Sequence, residues 1–422
     1  MKRIFATLAV TLVVLQSTVF ASNGFRIFGI YGSRATAQGE AFVARADDPS
    51  AIAFNPAGLT ELKGTYISSG LTTVRVSTKY TPFISTTNVY SIDETQYAPN
   101  LYFTSDLNRD DGIAVGLGVT APFGLASRWA EDSFCRYVDT MSSLKVINVN
   151  PTVAYRAHPN LSLGAGFSYY YSKATLKSKI DYGFLIGAPG TLDGTTVLEG
   201  DGATLGYNFG GIYRINKKNN VGISYRSPFC ITYRGNDELG QIPAFMLMGG
   251  SIETPVETDI HFPAIVTAGY AYMPTDKLRF EFDLDWTRWQ SLDCITVTAK
   301  DTRVADTSYK YEWSNAFVFK FGSEYQMTDN LALRCGYAFS ESAIPEHTFR
   351  PSLADTKKHF ATAGVGVKRG NWNLDIALNL IFYRDREISN NVDNNETTTG
   401  STIDGKYESF GGMTSASLTY KF

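Results

Sequence analysis

The side chains through which this chain could hold a metal ion or run nucleophilic catalysis are few and scattered. Its four cysteines, Cys135, Cys230, Cys294 and Cys335, include no pair at metal-ligand spacing, so no zinc site is expected. If the chain is exported they could form disulfides, and four cysteines allow three connectivities between which spacing does not choose. The four histidines, His158, His261, His347 and His359, stand in unrelated surroundings, and none accompanies a serine in a G-x-S-x-G turn. Hydrolysis needs a nucleophile, a base and a group that orients the base. No enzyme, catalytic residue, metal or cofactor is therefore expected. Lys+Arg 38 against Asp+Glu 41, with no basic stripe, also argues against nucleic acid as a partner.

The elements that must position any site are written at period two. Leu278, Phe280, Phe282, Leu284 and Trp286 alternate with Arg279, Glu281, Asp283, Asp285 and Thr287. Trp372, Leu374, Ile376, Leu378, Leu380 and Phe382 alternate with Asn373, Asp375 and Asn379, and Phe317, Phe319 and Phe321 with Lys320, Gly322 and Glu324. Such strands have one apolar and one polar face. Both a soluble sandwich and a membrane barrel would satisfy that, and connection lengths separate the two. Fourteen strands are expected, starting near Thr65, Tyr97, Gly112, Lys145, Leu161, Ala203, Val221, Ile260, Leu278, Ala316, Leu331, Lys358, Asn371 and Gly411. Short turns such as His158–Asn160 and Arg369–Gly370 alternate with long polar stretches. The long stretches are Pro82–Gln96, Ala121–Leu144, Tyr182–Gly202, Arg234–Asp259, Gln290–Trp313, Glu341–Thr356 and Glu387–Ser409. That regularity predicts an all-β fold, a transmembrane antiparallel β-barrel of about 14 strands in the bacterial outer membrane, surrounded by its lipid. It also explains how 44% hydrophobic residues coexist with a mean hydropathy of −0.13. After the first twenty residues no run approaches the ~18–20 apolar residues of a spanning helix.

Two segments precede the barrel. Met1-Lys2-Arg3, an apolar stretch from Ile4 to Leu15, and Val19-Phe20-Ala21 predict a secretory signal peptide over residues 1–21, with an N-terminal membrane anchor as the rival reading. Residues 22–62 do not alternate, yet carry Phe25, Ile27, Phe28, Ile30, Tyr31, Phe42, Ile52 and Phe54. Apolar groups at that density need a packing surface, which predicts a compact hatch folded into the lumen of a barrel spanning residues 63–422.

The motifs that identify a family are spread along the chain. They are Gly24-Phe25, Gln38-Gly39-Glu40-Ala41, Ala46-Asp47-Asp48, Asn55-Pro56-Ala57 and Thr120-Ala121-Pro122-Phe123-Gly124-Leu125. Asn150-Pro151-Thr152-Val153-Ala154-Tyr155-Arg156, Tyr171-Ser172-Lys173-Ala174 and the segment from Leu331 to Pro345 follow. In that order and spacing the sequence resembles the FadL-type outer-membrane transporters of long-chain fatty acids and other hydrophobic compounds. The resemblance implies a monomeric fourteen-stranded barrel closed by an N-terminal hatch. Cargo would be caught at extracellular loops, passed to a lumen site and released sideways when the hatch rearranges. It implies Phe25 as the hatch tip near the ligand and Asn55, Pro56 and Ala57 as a hatch-to-wall motif beside a lateral opening. The opening would lie at a kink in the third strand, where Gly112, Gly116 and Gly118 are the candidates.

Apolar residues in two long loops are candidate capture surfaces: Phe123, Leu125, Trp129 and Phe134 in one, Phe245, Met246 and Met248 in the other. Self-packing of each loop is the alternative. A fatty acid carboxylate would need a cation, because a buried charge must be paired, and Lys177, Lys179 and Lys320 are the candidates. If none faces the cargo, a neutral or aromatic hydrocarbon becomes the expected cargo. A structural or adhesive barrel is the remaining alternative.

Overall fold

A computed structural model describes residues 23–422 apart from 84, 86, 110, 248–249, 391 and 393–402. The expected signal peptide lies outside the described residues. No described helix is long and apolar enough to cross a membrane; the strands do the crossing.

The wall is one antiparallel sheet closed on itself. It begins with β1 (Thr65–Pro82), to which the short β2 (Val89–Tyr90) adds outside the membrane, and continues with β3 (Gln96–Ser105), β4 (Ile113–Arg128) and β5 (Met141–His158). Then come β6 (Leu161–Asp181) and β7 (Asp193–Asn216). Four spans are interrupted: β8 (Asn219–Arg226) with β9 (Phe229–Ile242), β10 (Gly250–Phe262) with β11 (Ile265–Tyr272), β12 (Leu278–Thr287) with β13 (Cys294–Ala299), and β14 (Thr307–Lys310) with β15 (Ala316–Thr328). The wall ends with β16 (Leu331–Ser340), β17 (Lys358–Arg369), β18 (Trp372–Tyr383) extended by β19 (Arg386–Ile388), and β20 (Gly405–Lys421). β20 pairs with β1 from Tyr66↔Lys421 to Pro82↔Gly405, closing a barrel of fourteen spans.

The alternation has the sign of a membrane wall. On β12, Glu281, Asp283 and Asp285 are buried while Phe282 is exposed, and on β18 Asp375 and Asn379 are buried between exposed Trp372, Leu374, Ile376 and Leu378. Charged groups point inward and apolar ones outward, the reverse of a soluble core.

Several expected loops are sheet instead. β7 starts at Asp193 rather than near Ala203, Arg234–Asp259 is mostly the β9–β10 hairpin, Gln290–Trp313 contains β13 and β14, and β20 starts at Gly405. Above the lipid the outer face meets water, so on β10 the alternation is inverted, with Ile252, Val256 and Ile260 buried and Glu253, Glu257 and Asp259 exposed, and it does not read as a membrane span.

Residues 23–62 fill the lower lumen. They form α1 (Ser33–Thr36), α2 (Ala51–Phe54) and a 3-10 turn, Pro56–Glu61. Much of the glycine in the wall exists to admit this plug. A Cβ on Gly210 would stand 2.0 Å from the Asn55 side-chain oxygen, and Cβ atoms on Gly322 and Gly336 would meet Gln38 at 2.4 and 2.2 Å.

Candidate functional site: a lumen cavity beside a break in the wall

The third span leaves the wall partway up. β3 and β4 pair only from Ser105↔Val115 to Leu101↔Val119. Above that, β3 pairs with β1 alone. β4 gains one residue against β5 between Thr120 and Phe123, a β-bulge that bends the strand, and its residues from Thr120 to Ala126 lose the alternation and are all buried. The hatch supplies the missing backbone partners. The Ile27 N–H donates to the Pro122 carbonyl at 3.2 Å, and the Gly124 N–H to the Phe25 carbonyl at 2.9 Å. Pro99 on β3 and Pro122 on β4 bring no N–H to the vacated edges. Above the break, the Ile92 N–H donates to the Arg128 carbonyl at 2.8 Å and Arg128 pairs with Glu94 at 3.0 Å. The break is therefore a bounded window.

The glycines expected to kink this strand do something else. Gly116 and Gly118 pair regularly with Thr152 and Asn150, and a Cβ on either would strike the Ile52 side chain at 2.7 and 2.9 Å. Gly112 lies before β4, at φ +78. The bend is made by Ala121-Pro122, which begins three residues beyond the last of them. The Asn55-Pro56-Ala57 motif does seat the hatch on the wall, although not at the window. The Asn55 amide donates to the carbonyls of Val43 (2.8 Å) and Gly211 (3.1 Å), and its oxygen accepts from the Ala57 N–H. Pro56 takes the first position of the 3-10 turn that Asn55 caps. Gly164 and Gly210 leave room for it, so the motif docks on β6 and β7.

Beside the bend the upper lumen is apolar. Three neighbouring spans break at one level, at Ser227-Pro228, Pro263-Ala264 and the turn Trp289–Ser291, and there Phe229, Phe262 and Trp289 are buried inside. Phe229 stacks on Phe262 (centroids 4.7 Å) and on Tyr170 (3.9 Å), and Phe123 reaches Phe262 at 5.1 Å. Phe25 contacts Trp313 at 4.9 Å and Trp289 edge-on at 6.0 Å. Above this belt is a cavity of about 500 Å³ lined by Phe25, Leu125, Leu144, Ile260, Ile295 and Trp313 among others. That volume falls within the ~300–1,000 Å³ of small-molecule sites. Phe25 touches both features: it forms part of the cavity lining, and its carbonyl bonds the bent strand.

The remaining candidates divide. Trp129 and Phe134 are not an open capture surface. Trp129 is fully buried with its indole N–H donating to the Pro351 carbonyl (3.3 Å), and Phe134 stacks on Tyr80 at 3.6 Å. The two rings meet each other edge-on at 5.1 Å, but their other partners lie outside the loop, which folds inward over the lumen. Phe245 and Met246 are exposed on α3 (Ala244–Leu247) at the tip of the β9–β10 hairpin, and Met248 lies outside the described residues. Lys177 and Lys179 line the cavity, but Lys179 pairs with Asp193 at 3.6 Å. Lys320 faces the lumen as parity predicted, yet it is buried against Asp285 at 2.8 Å and lies outside the cavity. The four cysteines form no disulfide.

Among the polar cavity residues that sequence reasoning missed are Asp139 and Arg350. Asp139 is buried, accepts from the Ser142 hydroxyl at 2.6 Å through one oxygen, and has no partner for the other. Burial pushes its carboxyl up to about 7, against the Ser142 bond and the positive charge of Arg350.

A closed barrel with charge inside, a lumen plug and an inward-bent third span match one family along nearly all of the chain. The model of the outer membrane protein transport protein family (OMPP1/FadL/TodX) covers residues 13–422. The chain belongs to this family. Its place is the bacterial outer membrane, and the FadL/TodX family consists of transporters rather than enzymes. A putative outer membrane protein of Neisseria meningitidis serogroup B is 27% identical, over 97% of this chain and 98% of its own length. The long-chain fatty acid transport protein of Escherichia coli K12 is 24% identical over 83% of this chain and 86% of its own. Among solved structures, a FadL homologue of Pseudomonas aeruginosa superposes with a TM-score of 0.80 at 17% identity, covering 96% of this chain and all of that one. The toluene transporter TodX of Pseudomonas putida reaches 0.75 at 17% identity, covering 94% and 99%. These likenesses show the fold.

Proposed function

We propose that this FadL/TodX-type protein takes up hydrophobic molecules, long-chain fatty acids first among them, and releases them sideways into the membrane. Cargo is caught at the extracellular tips, where Phe245 and Met246 are exposed, moves into the cavity above Phe25, and leaves between β3 and β4 when the hatch tip withdraws. The observation that carries this reading is the substitution of hatch for wall: segment 25–27 holds β4 where β3 has let go, directly below the apolar cavity. Lateral release suits such cargo, since each CH₂ returned to water costs about 0.8 kcal/mol. Deleting Pro122, which removes the extra residue of the bulge, should return β4 to register with β3. Uptake of a labelled fatty acid should then fall at least tenfold while heat-modifiable barrel still reaches the outer membrane. Undiminished uptake by an assembled variant rules out this route.

Neutral or aromatic hydrocarbons are the second reading. It is favoured by the pairing of Lys320 with Asp285 and of Lys179 with Asp193, which takes up two of the three candidate cations, while Lys177 in the cavity lining is the one that favours the acid. Cells expressing the protein should then take up radiolabelled toluene faster than a fatty acid; the reverse order favours the acid.

A further inference from the structure

Two extracellular tips of the barrel hold apolar side chains out into water. The β6–β7 connection forms a 3-10 turn, Gly183–Ile186, on which Phe184, Leu185 and Ile186 are 45, 57 and 56% exposed. On α3, at the tip of the β9–β10 hairpin, Phe245 and Met246 are 58 and 43% exposed. Single exposed apolar residues need no explanation, whereas a cluster marks an interaction surface. The two tips belong together. Tyr182, Ile242 and Ile252 form a small buried cluster between them, and β7 pairs with β9 up to Thr195↔Gly240, directly below both. The exposure is built in. The Asp181 carboxylate accepts from the N–H groups of Phe184 (3.2 Å) and Gly190 (2.9 Å), and the Ala188 N–H donates to the Gly183 carbonyl at 2.9 Å. A turn held in this way keeps its side chains pointing outward.

Shape and charge narrow the partner. Successive residues of a 3-10 turn point about 120° apart, so Phe184, Leu185 and Ile186 make a convex knob and not a groove that would wrap one molecule. Residues 182–192 and 242–252 contain no Asp, Glu, Lys or Arg, which leaves nothing to steer or pair a charged protein or polymer. A convex, uncharged knob with an aromatic ring is fitted to enter the boundary between headgroups and acyl chains, to a depth of ~5–10 Å. That lipid is not the protein's own membrane. Exposed aromatic residues on β6 end at Tyr171. Above it the outward groups are charged, with Lys173 facing Glu199 at 3.8 Å and, on neighbouring strands, Arg234 facing Glu257 at 2.8 Å. Residues 172–181 carry the turn roughly 25 Å further out, at ~3.3 Å per residue and ~40° of tilt. Phe184 also belongs to the lining of the cavity, so knob and cavity are continuous. We propose that the paired tips dock on the surface of neutral lipid aggregates outside the cell, such as vesicles or droplets, and that cargo passes from there into the cavity without entering water. The inference rests on the proposed uptake of hydrophobic cargo and names where that cargo is collected.

The test floats the full-length protein, held in lipid nanodiscs, with zwitterionic phosphatidylcholine vesicles on a density gradient. Protein-bearing nanodiscs should be recovered with the vesicles about tenfold above empty nanodiscs. The double substitution Leu185→Ser with Ile186→Ser, which leaves Phe184 in the cavity lining, should lose most of that recovery. In cells the double variant should take up labelled oleate several-fold more slowly from phosphatidylcholine vesicles, and at the wild-type rate from albumin. Three results overturn the inference and leave uptake standing: no recovery above empty nanodiscs, recovery that needs anionic phosphatidylglycerol in the vesicles, and recovery unchanged by the double substitution. An equal loss of uptake from vesicles and from albumin overturns it too, since the tips would then catch single molecules. Failure of the wild-type protein to speed oleate uptake from either source overturns the proposed uptake itself.

Discussion

The two halves of the lumen are built differently. Below the aromatic belt, wall and plug meet through apolar packing, as of Phe28 on Phe360, and through a network of buried charge. Glu324 receives Arg34 at 3.0 Å, Arg334 at 2.6 Å and Arg45 at 3.4 Å; Asp285 receives Arg26 at 2.6 Å and Lys320 at 2.8 Å. Asp283 accepts the backbone N–H groups of Phe42 and Val43, and Glu281 that of Ala44. Above the belt Phe, Trp, Leu and Ile share the cavity lining with polar and charged residues, among them Lys177, Asp181, Glu199 and Asp237, and no described residue of the hatch beyond Phe25 enters it. An ion pair holds one partner at one place, whereas an apolar surface accepts any shape that excludes water. The lower half is therefore fitted to a single occupant, the hatch, and the upper half to occupants that change.

The largest effect that would break this contrast is loss of its electrostatic hub. Glu324→Ala leaves the guanidinium groups of Arg34, Arg45 and Arg334 without a shared acceptor, and breaking a buried pair typically costs 3–5 kcal/mol. The expected outcome is a hatch that proteases cut and a pore that conducts ions in planar bilayers, with the barrel assembled; a closed, protease-resistant variant would mean the charges are not what holds the hatch. Phe25→Ala comes next. It truncates a ring packed on Trp289 and Trp313 at the boundary of the two halves, a change worth about 3 kcal/mol or more in a core. Fatty acid uptake should fall several-fold while hatch protection stays; unaltered uptake removes Phe25 from the route.

How much of this was legible beforehand depended on what surrounds each residue. Lipid outside and charge inside impose one rule on every spanning strand, so Leu278 to Thr287 could be oriented by parity once the alternating connection lengths had pointed to a membrane barrel. The β9–β10 and β13–β14 hairpins stand above the lipid and lack that rule. The window was sought at glycines because a bend needs freedom, but Gly116 and Gly118 are small to admit Ile52, and the bend rests on Pro122. Asp139 and Arg350 are brought together by two folded-in loops, which no spacing encodes. The only local signal was a charge set beside apolar residues, in Tyr137-Val138-Asp139 and Phe349-Arg350.

A smaller test compares two adjacent wall glycines. Gly210→Ala would place a methyl 2.0 Å from the Asn55 oxygen, whereas at Gly211 the nearest atom lies at 3.6 Å. Overpacking costs about 1–3 kcal/mol, so the first variant should loosen the Asn55-Pro56-Ala57 seat, seen as faster proteolysis of residues 23–62, and Gly211→Ala should behave as wild type. Equal protection in both would mean that the hatch yields easily at this point and that charge alone fixes it.

The smallest expected effect belongs to the upper half and sharpens the contrast from the other side. Asp139 has its carboxyl pushed up to about 7 by burial, because Ser142 and Arg350 do not fully offset the lost hydration. A folded-state value above the ordinary carboxylate range means that the folded protein holds this proton more tightly than the unfolded chain does. Its contribution therefore falls as pH rises from about 4 to about 7 and stays at its lower level above that. Measured as the difference in thermal midpoint between wild type and Asp139→Asn, which cannot ionise, wild type should lose ground across that interval and then run parallel. A flat difference would mean that Asp139 is solvated or fully paired, which would make the upper lumen less apolar than its lining residues imply.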